Sequence, residues 1–100
     1  MPAHQLNLSI LTPERVLYEG AVRYLYVPGS AGYMGILVDH APLISSLKPG
    51  GVEIRPTQKG SAPLKFTIRR PGFMEINKNQ VDIFLDATDS DALSAEQPSR

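Results

Sequence analysis

Residues 27–50 read V-P-G-S-A-G-Y-M-G-I-L-V-D-H-A-P-L-I-S-S-L-K-P-G. The stretch holds four of the chain's eight glycines, three of its nine prolines and one of its two histidines, set among apolar residues. Gly loses the most backbone freedom on ordering and Pro has no N–H to donate, so this density excludes a long helix. It reads as a rigid, irregular surface threaded between short strands.

Outward from it on both sides the period is two. Leu6, Leu8 and Ile10 alternate with Gln5, Asn7 and Ser9; Val52 and Ile54 with Glu53 and Arg55; Leu64, Phe66 and Ile68 with Lys65, Thr67 and Arg69; Val81, Ile83 and Leu85 with Asp82, Phe84 and Asp86. Such alternation marks half-buried strands with one face on a core. Ala21–Val27 is apolar on both faces except at Arg23, as in a central strand or an interface. Thr12-Pro13, Pro28-Gly29, Lys48-Pro49-Gly50-Gly51, Lys59-Gly60, Pro71-Gly72 and Asn77-Lys78-Asn79 punctuate the runs. Nine strands follow, at 5–12, 14–19, 21–27, 34–38, 42–47, 51–56, 63–69, 72–77 and 80–86. Short strands at this spacing predict an all-β sandwich or barrel. Pro28, Gly29, Gly35, Pro42, Pro49 and Gly50 read as residues that shape its turns.

Composition narrows the function classes. One hundred residues make one domain, here read as 1–87, followed by a tail over 88–100. The tail is rich in Ser, Asp, Glu and Ala, with Leu93 its only large apolar residue. Asp89-Ser90-Asp91 can cap a turn or two of helix, but the expectation is a flexible, irregular or weakly helical tail. No Cys is present, which removes disulfides and thiolate chemistry. Lys plus Arg equals Asp plus Glu, so there is no electrostatic footprint for nucleic acid or an anionic membrane. No apolar run nears the roughly 20 residues that span a bilayer.

Catalytic templates fail one by one. Gly29, Gly32 and Gly35 have the spacing of a phosphate cradle, but Ile36-Leu37-Val38 predicts a strand where a helix is required. Asp39-His40 with Ser45 or Ser46 lacks relay geometry, because adjacent residues of an extended segment point to opposite sides. Asp82 and Asp86, at i, i+4 on one strand, lie about 13 Å apart, too far for a glycosidase pair. His4 and His40 alone do not make a zinc site. No cofactor or metal is expected. Tyr18, Tyr24, Tyr26 and Tyr33 suit a protein interface, where an apolar ring meets a polar tip.

The motif V-P-G-x-x-G-x-x-G-I-L-x-x-H-A-P-L-x-x-x-L-K-P-G resembles the signature of the epsilon subunit family of F-type ATP synthases. It stands here as Val27-Pro28-Gly29, Gly32, Gly35-Ile36-Leu37, His40-Ala41-Pro42-Leu43 and Leu47-Lys48-Pro49-Gly50. Thr12-Pro13-Glu14, Gly72-Phe73-Met74-Glu75-Ile76, Asn79, Val81 and Leu85-Asp86 extend the resemblance over about residues 6–88. The resemblance implies a ten-stranded β-sandwich of two sheets. It implies a non-catalytic central-stalk subunit that docks the gamma subunit onto the c-ring and couples proton or sodium translocation to ATP synthesis. Ala31, Gly32, Tyr33 and Met34 match the c-ring contact; Thr12, His40 and Ser45 match positions at the gamma contact; the beta subunit is a further partner. Location is implied as peripheral, on the cytoplasmic face of the bacterial inner membrane or the stromal face of the thylakoid, with membrane contact only through the complex.

There are departures. Val38 stands where many members have Pro, and Pro71 where many have Gly. Ser30–Met34 carries no charge where relatives often have Glu, so its contact is expected to be aromatic, apolar and salt-insensitive. Residues 88–100 are too few for the family's C-terminal helical hairpin, so a natural short form is expected, coupling without hairpin-type inhibition. The competing reading is a free-standing β-sandwich module for a carbohydrate or a peptide.

Overall fold

The computed structural model describes residues 5–93. Eight strands follow in chain order: β1 (Leu6–Leu11), β2 (Val16–Gly29), β3 (Gly32–Ile36), β4 (Leu43–Leu47), β5 (Gly50–Pro56), β6 (Leu64–Ile68), β7 (Gly72–Asn77) and β8 (Gln80–Phe84). A 3-10 turn, Ala87–Asp89, comes after them, and residues 92–93 are helical.

The alternation in sequence becomes alternation in burial. Leu6, Leu8 and Ile10 of β1 point inward, as do Val52 and Ile54 of β5 and Met74 and Ile76 of β7. All strands feed one apolar cluster. Burying a side chain of this size contributes about 1.5–3 kcal/mol, so the shared cluster is the main force closing the fold.

The strands form one hydrogen-bonded sheet that β2 folds into two layers. The first half of β2 pairs antiparallel with β1, from Val16↔Leu11 to Val22↔Leu6. Its second half pairs with β5 over Val22–Tyr26 and with β3 over Leu25–Gly29. The register slips between Val22 and Tyr24, at Arg23. A bulge of this kind bends a strand and increases its twist, which carries β2 from one layer to the other. The first layer runs β2-β1-β8-β7-β4, with β1 and β8 parallel. The second runs β3-β2-β5-β6. Ala21–Val27 is therefore a central strand, paired on both edges, as its two-sided apolar character predicts.

The turn between β7 and β8 follows its sequence. Lys78 and Asn79 sit at φ 51° and 64°, as a two-residue hairpin loop whose twist matches the strands requires.

Three expectations differ from the structure. The strand count among the described residues is eight rather than the nine read from the alternation, because the predicted strands 14–19 and 21–27 run on through Gly20 as one, and it is two below the ten that the resemblance implies. β8 stops at Phe84, not residue 86: Asp86 instead caps the 3-10 turn, accepting from Thr88 N at 2.9 Å. The third concerns the expected tail, of which only 88–93 lie within the described residues. There Asp89 is fully buried, accepting from Arg69 N at 3.0 Å, Arg69 Nε at 3.1 Å and Arg70 N at 3.3 Å. The Arg69 guanidinium also reaches Asp91 at 2.7 Å and the Thr88 carbonyl. These bonds anchor the segment, so Leu93 reaches the core without a helix partner.

Candidate functional site

The motif stretch assembles into one tip of the sandwich. Ser30 and Ala31 form the turn between β2 and β3, with Gly29 opposite Gly32. A Cβ on Gly29 would stand 2.8 Å from the Gly32 carbonyl oxygen, so the two backbones meet only because Gly29 has none. Gly32 itself takes φ +136°, a conformation that L side chains rarely adopt. Ser30 N donates to Ser46 O at 3.0 Å and Lys48 N to Pro28 O at 2.8 Å, tying the turn to the Lys48-Pro49-Gly50 corner. The Tyr33 hydroxyl accepts from Gly51 N at 3.1 Å, and its ring stacks on Tyr26 with centroids 5.0 Å apart.

Four expected contact residues thus share one place. Ala31, Gly32 and Tyr33 are exposed there, while Met34 is half-buried and packs on the core. The loop is shorter than expected, since Gly32 already pairs with Gly29 and the strand begins with it. Of the expected turn residues, Pro28 and Gly29 end β2, Gly35 lies within β3, Gly50 opens β5, and Pro42 and Pro49 lie between strands. Pro28 and Gly50 touch, a Cβ on Gly50 falling 3.3 Å from Pro28 Cβ, and Gly35 lies open beside Tyr26. Pro42 lines a shallow hollow with Ile44, Glu75 and Asn77.

Thr12, His40 and Ser45 are not brought together. Thr12 follows the end of β1, where its Oγ1 accepts from the N–H of Glu14 and Arg15, both at 3.2 Å, and bonds Ser90 Oγ at 3.0 Å. His40 belongs to the opposite end of that layer. Its neighbour Asp39, at φ 67°, donates its N–H to Asn79 Oδ1 at 2.6 Å and accepts from Asn79 Nδ2 at 2.9 Å. His40 Nδ1 lies 2.7 Å from Ala41 O. Ser45 is in phase with the inward Leu43 and Leu47, and its hydroxyl donates to Ser46 O at 3.0 Å.

A surface that the sequence reading passed over lies on the outer face of the first layer. Val16, Leu11, Phe84 and Phe73 stand in direct cross-strand register over β2, β1, β8 and β7. Val16, Phe73 and Phe84 are 51%, 44% and 43% exposed, and Ile44 on β4 adds 63%. A signal for this band existed. Phe73 is in phase with Glu75, and Phe84 with Asp82, so each aromatic occupies a position that alternation assigns to water.

The second layer's outer face differs. Tyr24, Tyr26, Gly35, Leu37 and Glu53 line a hollow of about 270 Å³. Tyr24 donates its hydroxyl to Glu53 Oε2 at 2.5 Å, and that bond raises the tyrosine's pKa. Among the described residues no cluster of three or more His, Asp or Glu side chains is placed to hold a metal ion. No helix among them is long and apolar enough to cross a membrane.

Comparison with known proteins gives a consistent result. The family model of the ATP synthase delta/epsilon chain β-sandwich domain matches residues 5–90. The ATP synthase epsilon chain of Leptospira borgpetersenii is 46% identical over 86 residues, covering 86% of this chain and 65% of that one. The epsilon chain of Parvibaculum lavamentivorans is 36% identical over 86 residues, with 86% and 63% covered. The chain thus spans a little under two thirds of the length of these curated relatives. A chain in the Euglena gracilis mitochondrial ATP synthase structure, which holds OSCP, F1 and the c-ring, superposes with a TM-score of 0.72 at 24% identity. The match covers 85% of this chain and 52% of that one. One in the central stalk and c-ring structure of the Tetrahymena thermophila enzyme gives 0.69 at 16% identity, over 86% and 66%. At such identities these two likenesses speak to the fold.

Proposed function

This chain belongs to the ATP synthase delta/epsilon chain β-sandwich family, and on that premise we propose that it is a non-catalytic subunit of the enzyme's central stalk. It docks the gamma subunit onto the c-ring and so takes part in coupling ion translocation to ATP synthesis. Its place is peripheral, held at the cytoplasmic face of a bacterial membrane through the complex.

The observation that carries the reading is the apolar band Val16–Leu11–Phe84–Phe73. Large side chains exposed on β2, β8 and β7, with half-buried Leu11 of β1 between them, mark a surface that a partner covers. We assign it to the gamma subunit. Thr12, directly after Leu11, lies at its margin, and the tip at Ala31–Tyr33 is left for the c-ring. The tip is poor in charge: Ser30–Val38 contains no Asp, Glu, Lys, Arg or His.

Binding to the cognate gamma subunit tests this. The full chain is expected to form a saturable complex that Phe73→Lys or Phe84→Lys weakens at least tenfold. Both positions are outward, so circular dichroism should stay unchanged. Tyr33→Lys should leave gamma binding intact and weaken attachment of the gamma complex to c-rings. Absence of a gamma complex with the parent chain refutes the reading. Equal gamma binding by Phe73→Lys moves the contact off the band.

A further inference from the structure

The second layer ends in two edges, and they are protected unequally. β6 carries Lys65 as its second residue, Arg69 just past its end and Pro63 just before it. Charge and proline are the usual guards of an exposed edge. β3 pairs only with β2 among the described residues, and its other edge is unpaired. From Ser30 to Val38 it has no charge, no proline and no bulge. Tyr33 stands exposed on it, and Leu37 and Val38 just past its end. A flat, uncharged, apolar edge is a template for a further strand.

We infer that β3 is a self-pairing edge, through which two copies of this chain join antiparallel about a two-fold axis at Met34. The register follows from which backbone groups are free. Gly29 and Gly32 close a two-residue hairpin, so Gly32, Met34 and Ile36 direct their N–H and C=O to β2. Tyr33 and Gly35 direct theirs outward. Centring on Met34 sets Tyr33 of each copy opposite Gly35 of the other, so all four outward N–H groups and carbonyls pair. Side chains agree with this register. Tyr33 lies over a residue without a side chain, as Tyr26 already lies beside Gly35 within the chain. Gly32 meets Ile36 on the other face, small again against large. Strand pairing of identical edges is two-fold and therefore closes at two copies. The paired form covers Tyr33, which the proposed ring contact needs, so self-pairing and that contact exclude one another.

Gly35 is the position to test, because a Cβ there meets only Tyr26 Cδ1, at 3.9 Å. Sedimentation of the full chain should show a monomer–dimer equilibrium within the millimolar range. Gly35→Glu and Gly35→Lys should each weaken association at least tenfold, since like charges then lie diagonally across the axis. Mixing the two variants should restore a heterodimer, which a folding defect would not allow. A parent chain that stays monomeric at millimolar concentration overturns the inference. So does a dimer indifferent to Gly35→Glu, or a failure of the mixed variants to pair.

Discussion

Two regions of the molecule are held in opposite ways. The tip around Gly29, Gly50 and Tyr33 is fixed by shape: absent side chains, ring stacking and backbone hydrogen bonds. The closure around Asp89 is fixed by charge: one buried carboxylate gathers two backbone N–H groups and an arginine. Both join residues of similar separation in the chain: Gly51 to Tyr33 across 18 positions at the tip, Arg69 to Asp89 across 20 at the closure. Shape is insensitive to salt and pH, while a charge network is not. The surface proposed to meet the c-ring is therefore the one whose geometry does not depend on ionic conditions.

The largest test of this contrast removes the charge. Asp89→Ala leaves Arg69 N and Arg70 N without their acceptor and the arginine without its buried partner. Arg69 is half exposed and keeps Asp91, so the cost lies in the two backbone N–H groups left without an acceptor, about 1–3 kcal/mol each, to be read as a lower urea midpoint in equilibrium unfolding. Unchanged stability would mean that the closure does not depend on Asp89. Next comes shape: Gly29→Ala drives a methyl against the Gly32 carbonyl at 2.8 Å. Overpacking of this kind costs about 1–3 kcal/mol, and high salt should not alter the loss. Smaller still is Tyr33→Phe, which deletes the acceptor for Gly51 N but keeps the stacked ring. About 1 kcal/mol is expected from one such bond, with faster amide exchange at Gly51.

The smallest effect is acid. The hydroxyl and N–H of Thr88 donate to Asp86 and hold its carboxyl below the ordinary carboxylate value. A carboxyl whose pKa is depressed by folding adds stability above its unfolded value and loses it as pH falls through the folded one. The 3-10 turn should therefore loosen only well into acid, with the Thr88 amide resonance following the Asp86 titration. A Thr88 shift centred at or above the unfolded carboxylate value would break the assignment.

How much was legible follows the same division. Strands announce themselves through period two, and Lys78-Asn79 through turn chemistry, because both signals sit in neighbouring residues. The tip was legible for that reason. The 88–93 closure was not. Asp89 reads as a solvated residue until Arg69 is placed beside it, and nothing local links the two. The parallel pairing of β1 with β8 was hidden likewise, since the partners lie over seventy residues apart in sequence. The band at Phe73 and Phe84 lay between these cases: its residues broke the alternation in plain view, but only the register lines them up.

β2 gives the molecule a mechanical property. Sandwiches whose layers share no strand resist sliding through side-chain contacts and loops alone. Here one unbroken strand of fourteen residues belongs to both layers. Sliding one layer across the other must therefore pull on covalent backbone at the Arg23 bend. A twisting load applied at the Gly29 end of β2 travels along that backbone into β1 and the apolar band.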